Sequence, residues 1–122
     1  MIIMGSIAFC VLSAPYTYQN TNTLVKLAHT ALDKGHEVVG IFFFADGVFN
    51  VNKYIKVEGG SMHIPDELRK LEERGVPLAI CSACANYRGI TPENKLDGVE
   101  IAGVALFSEY FEDADRVVVF GM

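Results

Sequence analysis

Cys81 and Cys84, separated by two small residues, are the side chains whose type and spacing are best suited to chemistry. They follow the apolar run Val76–Ile80, which is typical of a buried strand. The segment after this run lacks strand alternation and ends at Gly89, so it is interpreted as the start of a short helix. Backbone N–H groups at such a junction favour the thiolate, which is the nucleophilic form of cysteine. The sequence therefore predicts sulfur chemistry at Cys81.

The rest of the chain alternates between apolar, strand-like runs and segments of helical periodicity. This alternation predicts an α/β fold, a three-layer sandwich in which helices cover both faces of a mainly parallel five-stranded sheet. At 122 residues, the chain is expected to form a single domain over residues 1–122. Strands are predicted at Ile2–Leu12, Glu37–Phe44, Val76–Ile80 and Arg116–Phe120, helices at Asn20–Lys34 (capped by its asparagines) and Pro65–Arg74, and an ambiguous segment with a helical end at Val99–Phe111.

Three residues with functional side chains follow directly on predicted strands. Tyr16 follows the first strand, Asp46 the second and Cys81 the third. Because ligands collect at the carboxyl ends of parallel strands, these residues are expected to line one cleft. Tyr16 is expected to line this cleft without taking part in chemistry.

Composition limits the classes of partner. The net charge is −5 and the ten Lys and Arg residues are scattered singly, so the basic patch of a nucleic-acid-binding protein is missing. Hydrophobic residues make up 51% of the chain and charged residues 20%, which leaves more apolar surface than a small monomer hides. We therefore expect a homo-oligomer, without nucleic-acid binding.

The first twelve residues are mostly apolar, and no Lys or Arg precedes their apolar part. They are therefore interpreted as a buried strand and not as a signal peptide. No other run approaches the length of a membrane span, so no membrane association is expected. The expected location is the cytoplasm, where thiols stay reduced. A close cysteine pair there indicates chemistry or metal binding more often than a structural disulfide.

Several segments are similar to those of one known family. The sequence FFFADGVFNVN over Phe42–Asn52 is close to an aromatic-Asp-Gly-Val-aromatic-Asn-x-Asn motif, and Cys81, followed by Arg88 and Gly89, matches the family's cysteine segment. Ala14–Tyr16 fits as well. On these residues the chain resembles the DsrE-like sulfur-relay family, which includes TusD, DsrE and YchN-type proteins.

The resemblance implies a three-layer α/β fold, a trimer or hexamer, and a cysteine that carries sulfur as a persulfide between donor and acceptor proteins. By this match Cys81 is the carrier, and no metal or organic cofactor is required. Cys84 and the stretch Leu96–Ile101 look more like the YchN branch, since the TusD-type pattern has a small apolar residue at position 84. The leading hypothesis is a cytoplasmic sulfurtransferase with an accessible Cys81 thiol.

Other interpretations of the cysteines stay open. Cys81 and Cys84 could cycle between dithiol and disulfide, or the chain could be a non-catalytic, oligomeric interaction module with structural cysteines. Cys84 shares a helical face with Cys81, so it either resolves a persulfide or is merely packed. A structural zinc site needs four ligands, and the chain has no second Cys-x-x-Cys and only isolated histidines, so no metal is expected.

The remaining candidates each have a functional and a structural interpretation. Asp46 could orient a partner, yet Asp-Gly is also a favoured turn. Arg88 would lower a thiol pKa and meet an acidic partner, or lie solvated at a helix end. Phe49 and Val51 are expected to form a subunit contact, and Cys10 is expected in the core.

Overall fold

The structure is a computed structural model and describes residues 5–121. Within this range the chain forms a five-stranded sheet, four α-helices and one 3-10 helix. The strands are Ser6–Val11 (β1), Glu37–Phe43 (β2), Leu78–Cys81 (β3), Glu100–Ala102 (β4) and Arg116–Phe120 (β5). The α-helices are Asn20–Asp33 (α1), Ile64–Glu73 (α2), Ser82–Tyr87 (α3) and Val104–Asp113 (α4), and the 3-10 helix is Ala45–Val51.

The sheet is parallel throughout, with strand order β4-β3-β2-β1-β5. The carboxyl ends of all five strands therefore lie along one edge. β2 and β3 are neighbours, so the segments that follow them, the 3-10 helix and α3, also lie side by side. This adjacency positions the cysteine pair against the residues after β2.

Side chains alternate between the two faces of the sheet. In β2, Ile41 and Phe43 join the core beneath α1 and α2, whereas Phe42 joins a second core with Tyr110 of α4. Both α1 and α4 also contact β1 and β2. Because one face carries α1 and α2 and the other carries α4, the predicted three-layer α/β sandwich is confirmed.

Several predicted boundaries are shifted. Asn20 begins α1, but its amide donates hydrogen bonds to Ser13 Oγ at 2.8 Å and to the Gly121 carbonyl at 2.7 Å, so it does not cap the helix as predicted. The ambiguous segment splits at Gly103 into β4 and α4. Part of the predicted first strand, residues 2–4, lies outside the described residues.

The prediction of a subunit contact at Val51 is wrong. Val51 is fully buried in the core beneath α1 and α2, and Phe49 is only partly exposed and packs against the same core. The 3-10 helix folds back onto the sheet, which turns these apolar side chains inward. In the part of the chain that the structure describes, no helix is both long and apolar enough to cross a membrane.

Candidate functional site

Cys81 is the last residue of β3 and directly precedes α3. It is only 5% exposed and belongs to the core on the α4 face, together with Phe42, Ala79 and Tyr110. The expectation of an accessible thiol is therefore wrong for this chain on its own. The reason is the strand alternation, which points Cys81 to the same face as Ala79, beneath the aromatic side chains of that layer.

Cys84 lies one helical turn beyond Cys81 and is partly exposed. Its Sγ accepts a hydrogen bond from the backbone N–H of Ala45, with an N···S distance of 3.2 Å. Ala45 has a φ of 50°, which is uncommon for a residue other than glycine. Such backbone conformations cost about 1–3 kcal/mol and cluster at functional sites. The first residue of the 3-10 helix thus holds the Cys84 sulfur in place.

Cys84 packs against the core that contains Cys81. Burial raises the pKa of Cys84 above its usual value, and the hydrogen bond to Cys81 and the charge of Cys81 raise this pKa further. The Ala45 N–H and the Arg88 guanidinium act in the opposite direction and lower it. None of the three cysteines, all of which lie in the part of the chain that the structure describes, forms a disulfide.

Asp46 and Arg88 close the site beside Cys84. Arg88 Nε donates to Asp46 Oδ1 at 2.8 Å, and Arg88 Nη1 donates to the Cys84 carbonyl at 3.2 Å. The Arg88 side chain is mostly buried, whereas that of Asp46 is exposed. Arg88 therefore ties α3 to the 3-10 helix instead of lying solvated at a helix end. The structure brings four predicted residues together, Cys81, Cys84, Asp46 and Arg88.

Tyr16 lies elsewhere on the same edge of the sheet. Its hydroxyl donates to the Met62 carbonyl at 2.9 Å and accepts from the Ile64 N–H at 3.2 Å, which ties it to the start of α2. It lines a separate cavity of about 290 Å³ with Lys56, Val57, Glu58 and Ser61. The predicted cleft is thus divided, because the hydroxyl finds its partners in the segment that leads into α2.

Asn50 is a supporting residue that sequence reasoning did not single out. It is fully buried, and its Oδ1 accepts from Thr21 Oγ1 at 2.7 Å. Its Nδ2 donates to the carbonyls of Ser13 and Gly47, at 3.1 and 2.8 Å. These bonds hold the 3-10 helix against the segment after β1. The sequence signal for this role was a single amide side chain within an apolar segment, because a buried polar group needs hydrogen-bond partners.

Cys10 and the larger cavities are separate from this site. Cys10 is buried in β1, as predicted, and burial raises its pKa to about 11. A cavity of about 490 Å³ lies at the opposite edge of the sheet, where Ser6, His36 and Asp115 line it. Among residues 5–121, no three His, Cys, Asp or Glu side chains are grouped as metal ligands.

Known proteins resemble this chain over nearly its full length. The TusD sulfurtransferase of Salmonella arizonae is 30% identical over 125 residues, which cover 93% of this chain and 98% of the relative. DsrE of Allochromatium vinosum is 33% identical over 119 residues, which cover 88% of this chain and 92% of the relative.

Solved structures give the same result. The crystal structure of the Escherichia coli protein ychN superposes with a TM-score of 0.86 at 26% identity, and the match covers 96% of this chain and 100% of ychN. MTH1491 of Methanobacterium thermoautotrophicum, at 15% identity and a TM-score of 0.72, shares the fold over 93% of this chain and 98% of its own. The DsrE/DsrF-like family model matches residues 5–120, and the chain therefore belongs to the DsrE/DsrF-like family.

Proposed function

We propose that the protein is a sulfurtransferase and that Cys81 carries the sulfur as a persulfide. This proposal rests on the position of Cys81 at the carboxyl edge of the sheet, one helical turn before a second thiol that packs against the same core. The relatives named TusD are sulfurtransferases by name and match over 93% of this chain, which supports the same reaction here. The proposed functional unit is one domain that spans the whole chain.

The proposed reaction consists of two thiol exchanges. The Cys81 thiolate attacks the outer sulfur of a donor protein's persulfide, and the donor's own cysteine leaves as a thiolate. An acceptor thiolate then attacks the outer sulfur on Cys81, which restores the Cys81 thiolate. Each exchange breaks one S–S bond and forms another, so no oxidant is needed. The proposed reaction uses neither a metal nor an organic cofactor.

Sulfur transfer requires that the donor persulfide reach the Cys81 thiol, which is only 5% exposed. We propose that a docked donor moves α3, which begins directly after Cys81, and so draws Cys81 out from beneath the α4 layer. Near the cysteines, few bonds hold α3 to the 3-10 helix, namely the Ala45–Cys84 hydrogen bond and the Arg88–Asp46 ion pair. The exposed Asp46 carboxylate beside them suits a donor that presents basic groups.

We further propose a homo-oligomer in the cytoplasm, formed through the α4 face. Val104 and Val119 are exposed on this face, and Leu106, Phe107 and Phe111 are only partly covered. A second copy packed there would cover this apolar surface. The cytoplasm fits a protein that works with free thiols, because thiols stay reduced there.

The test is sulfur uptake measured by intact mass. Shortly after mixing with a persulfide donor, wild-type protein should gain the mass of single sulfur atoms, and Cys81→Ser should gain none. Cys10→Ala is the matched control, since it removes a buried thiol outside the site and should load like wild type. Equal uptake of sulfur by wild type and Cys81→Ser would contradict the proposal that Cys81 carries the sulfur.

A second candidate function is the cycling of Cys81 and Cys84 between dithiol and disulfide, which is favoured by the packing of Cys84 against the core that contains Cys81. It predicts that the protein loses two hydrogens to a disulfide oxidant and gains no sulfur from a persulfide donor. The mass measurement on Cys84→Ser separates the two functions, because this variant cannot form the Cys81–Cys84 disulfide and gains sulfur only if Cys81 carries it.

A further inference from the structure

The side chain of Cys84 has no task in the proposed transfer, although the fold holds its sulfur in a defined place. The Ala45 N–H binds this sulfur at 3.2 Å, and Arg88 holds the Cys84 carbonyl at 3.2 Å. Cys84 also packs against the core that contains Cys81, which precedes it by three residues. A second thiol is thus fixed beside the thiol that would carry sulfur.

The burial of Cys81 decides which thiol meets its persulfide first. Because Cys81 is only 5% exposed, thiols in solution are largely kept from its sulfur, whereas Cys84 packs against the same core one helical turn away. A tethered group acts at an effective concentration of about millimolar or more. In the absence of a docked acceptor, Cys84 is therefore the favoured nucleophile.

We propose that Cys84 is a resolving thiol that breaks down a Cys81 persulfide whose sulfur no acceptor has taken, an inference that rests on the proposed function. The Cys84 thiolate attacks Sγ of Cys81, and a Cys81–Cys84 disulfide forms. The bond between Cys81 Sγ and the outer sulfur breaks, and the outer sulfur leaves as hydrosulfide with the proton from Cys84. The outer sulfur is reduced and the two cysteines are oxidised, so no outside oxidant is required.

This step limits how long Cys81 retains a sulfur atom that no acceptor has taken. If an acceptor is docked, its thiol takes the outer sulfur before Cys84 attacks. Otherwise the sulfur is released as sulfide. The disulfide form has no thiolate at Cys81 and accepts no more sulfur until a thiol reductant opens it.

The experiment compares wild type, Cys84→Ser and the control Cys10→Ala after loading with glutathione persulfide and removal of the donor. Serine keeps a hydrogen-bond acceptor for the Ala45 N–H, and circular dichroism checks the fold. Intact mass follows the protein, and monobromobimane traps free sulfide. Wild type and Cys10→Ala should lose the added sulfur, lose two further hydrogens and release one sulfide each. Cys84→Ser should keep its sulfur at least about tenfold longer, because the tethered thiol is gone.

The other outcomes overturn the inference in distinguishable ways. If wild type keeps its sulfur as long as Cys84→Ser does, the resolving role is wrong and the proposed function stands. Retention of the added sulfur on Cys84, located by peptide mapping, would also overturn it, since that result indicates transfer without release. If no variant takes up sulfur, the proposed function and this inference both fail.

Discussion

At the scale of single residues, the types and spacing of the cysteines were readable from the sequence, but their exposures were not. Cys81 ends an apolar run and a helix follows, and both features were predictable. Its burial depends on Phe42 and on Tyr110 of α4, which come from other parts of the chain. The Ala45 N–H that binds Cys84 carries no side-chain signal, so sequence reasoning had no means to find it.

The charge of Arg88 gives a testable pH dependence for Cys84. The guanidinium lowers the Cys84 pKa, so Arg88→Gln should raise it and move the pH profile of Cys84 alkylation to higher pH. Near neutral pH the alkylation rate should fall several-fold, as measured by mass mapping of the modified cysteine.

Two variants separate the charge of Arg88 from its structural bonds. Arg88→Lys retains the charge and should keep the profile close to that of wild type. Arg69→Gln removes an exposed arginine that pairs with Asp66 on α2, and it should change nothing at Cys84. A profile of Arg88→Gln that stays in place or moves to lower pH would contradict this account.

At the scale of elements, regular structure was predictable and the connections between elements were less so. β5 was predicted with its observed bounds, because a charged residue and a glycine delimit one apolar run. The helix after Pro65 also lies close to its predicted bounds. The cleft with Tyr16 was not predictable, because the bonds of its hydroxyl to Met62 and Ile64 depend on how a long loop returns to the sheet.

Gly47 shows why the 3-10 helix after β2 needs glycine at this place. A Cβ at Gly47 would overlap the Val11 carbonyl oxygen, a backbone atom that cannot easily move aside. Gly47→Ala should therefore lower the free energy of unfolding by about 1–3 kcal/mol, as overpacking of a tight site does. Urea denaturation measures this change.

Gly60→Ala is the matched control for Gly47→Ala, because a Cβ at Gly60 meets open space. Its effect should stay within about 0.5 kcal/mol, as is usual for surface substitutions. Equal stabilities of the two variants would show that the close approach of Gly47 to β1 is not required.

At the scale of the whole molecule, helices cover the two faces of the sheet unequally. Among residues 5–121, α1 and α2 lie on one face, and the ten-residue helix α4 lies on the other. The high hydrophobic content predicted an apolar surface, but it did not say where this surface lies. The fold locates part of it on the α4 face, which is also the face to which Cys81 points.

A charge on this face should weaken the proposed oligomer. Val119 is 53% exposed and lies two residues after Val117, which packs against the core on the α4 face, so Val119 faces the α4 side. Val119→Glu should shift the protein toward the monomer in light scattering at micromolar concentration. Leu27→Glu is the control, since Leu27 is 43% exposed on α1 and lies on the opposite side of the sheet. If both variants keep the wild-type mass, the α4 face is not the subunit contact.

The central claim is that Cys81 holds the transferred sulfur, and the most direct test is to locate that sulfur. The Cys84→Ser protein is loaded from a persulfide donor, its thiols are trapped by alkylation, and the peptides are sequenced by mass spectrometry. If Cys81 holds the transferred sulfur, the peptide that contains Cys81 should carry an alkylated persulfide, and Cys10 should carry only an unmodified or singly alkylated thiol. A persulfide at Cys10 alone, or at neither cysteine, would contradict it.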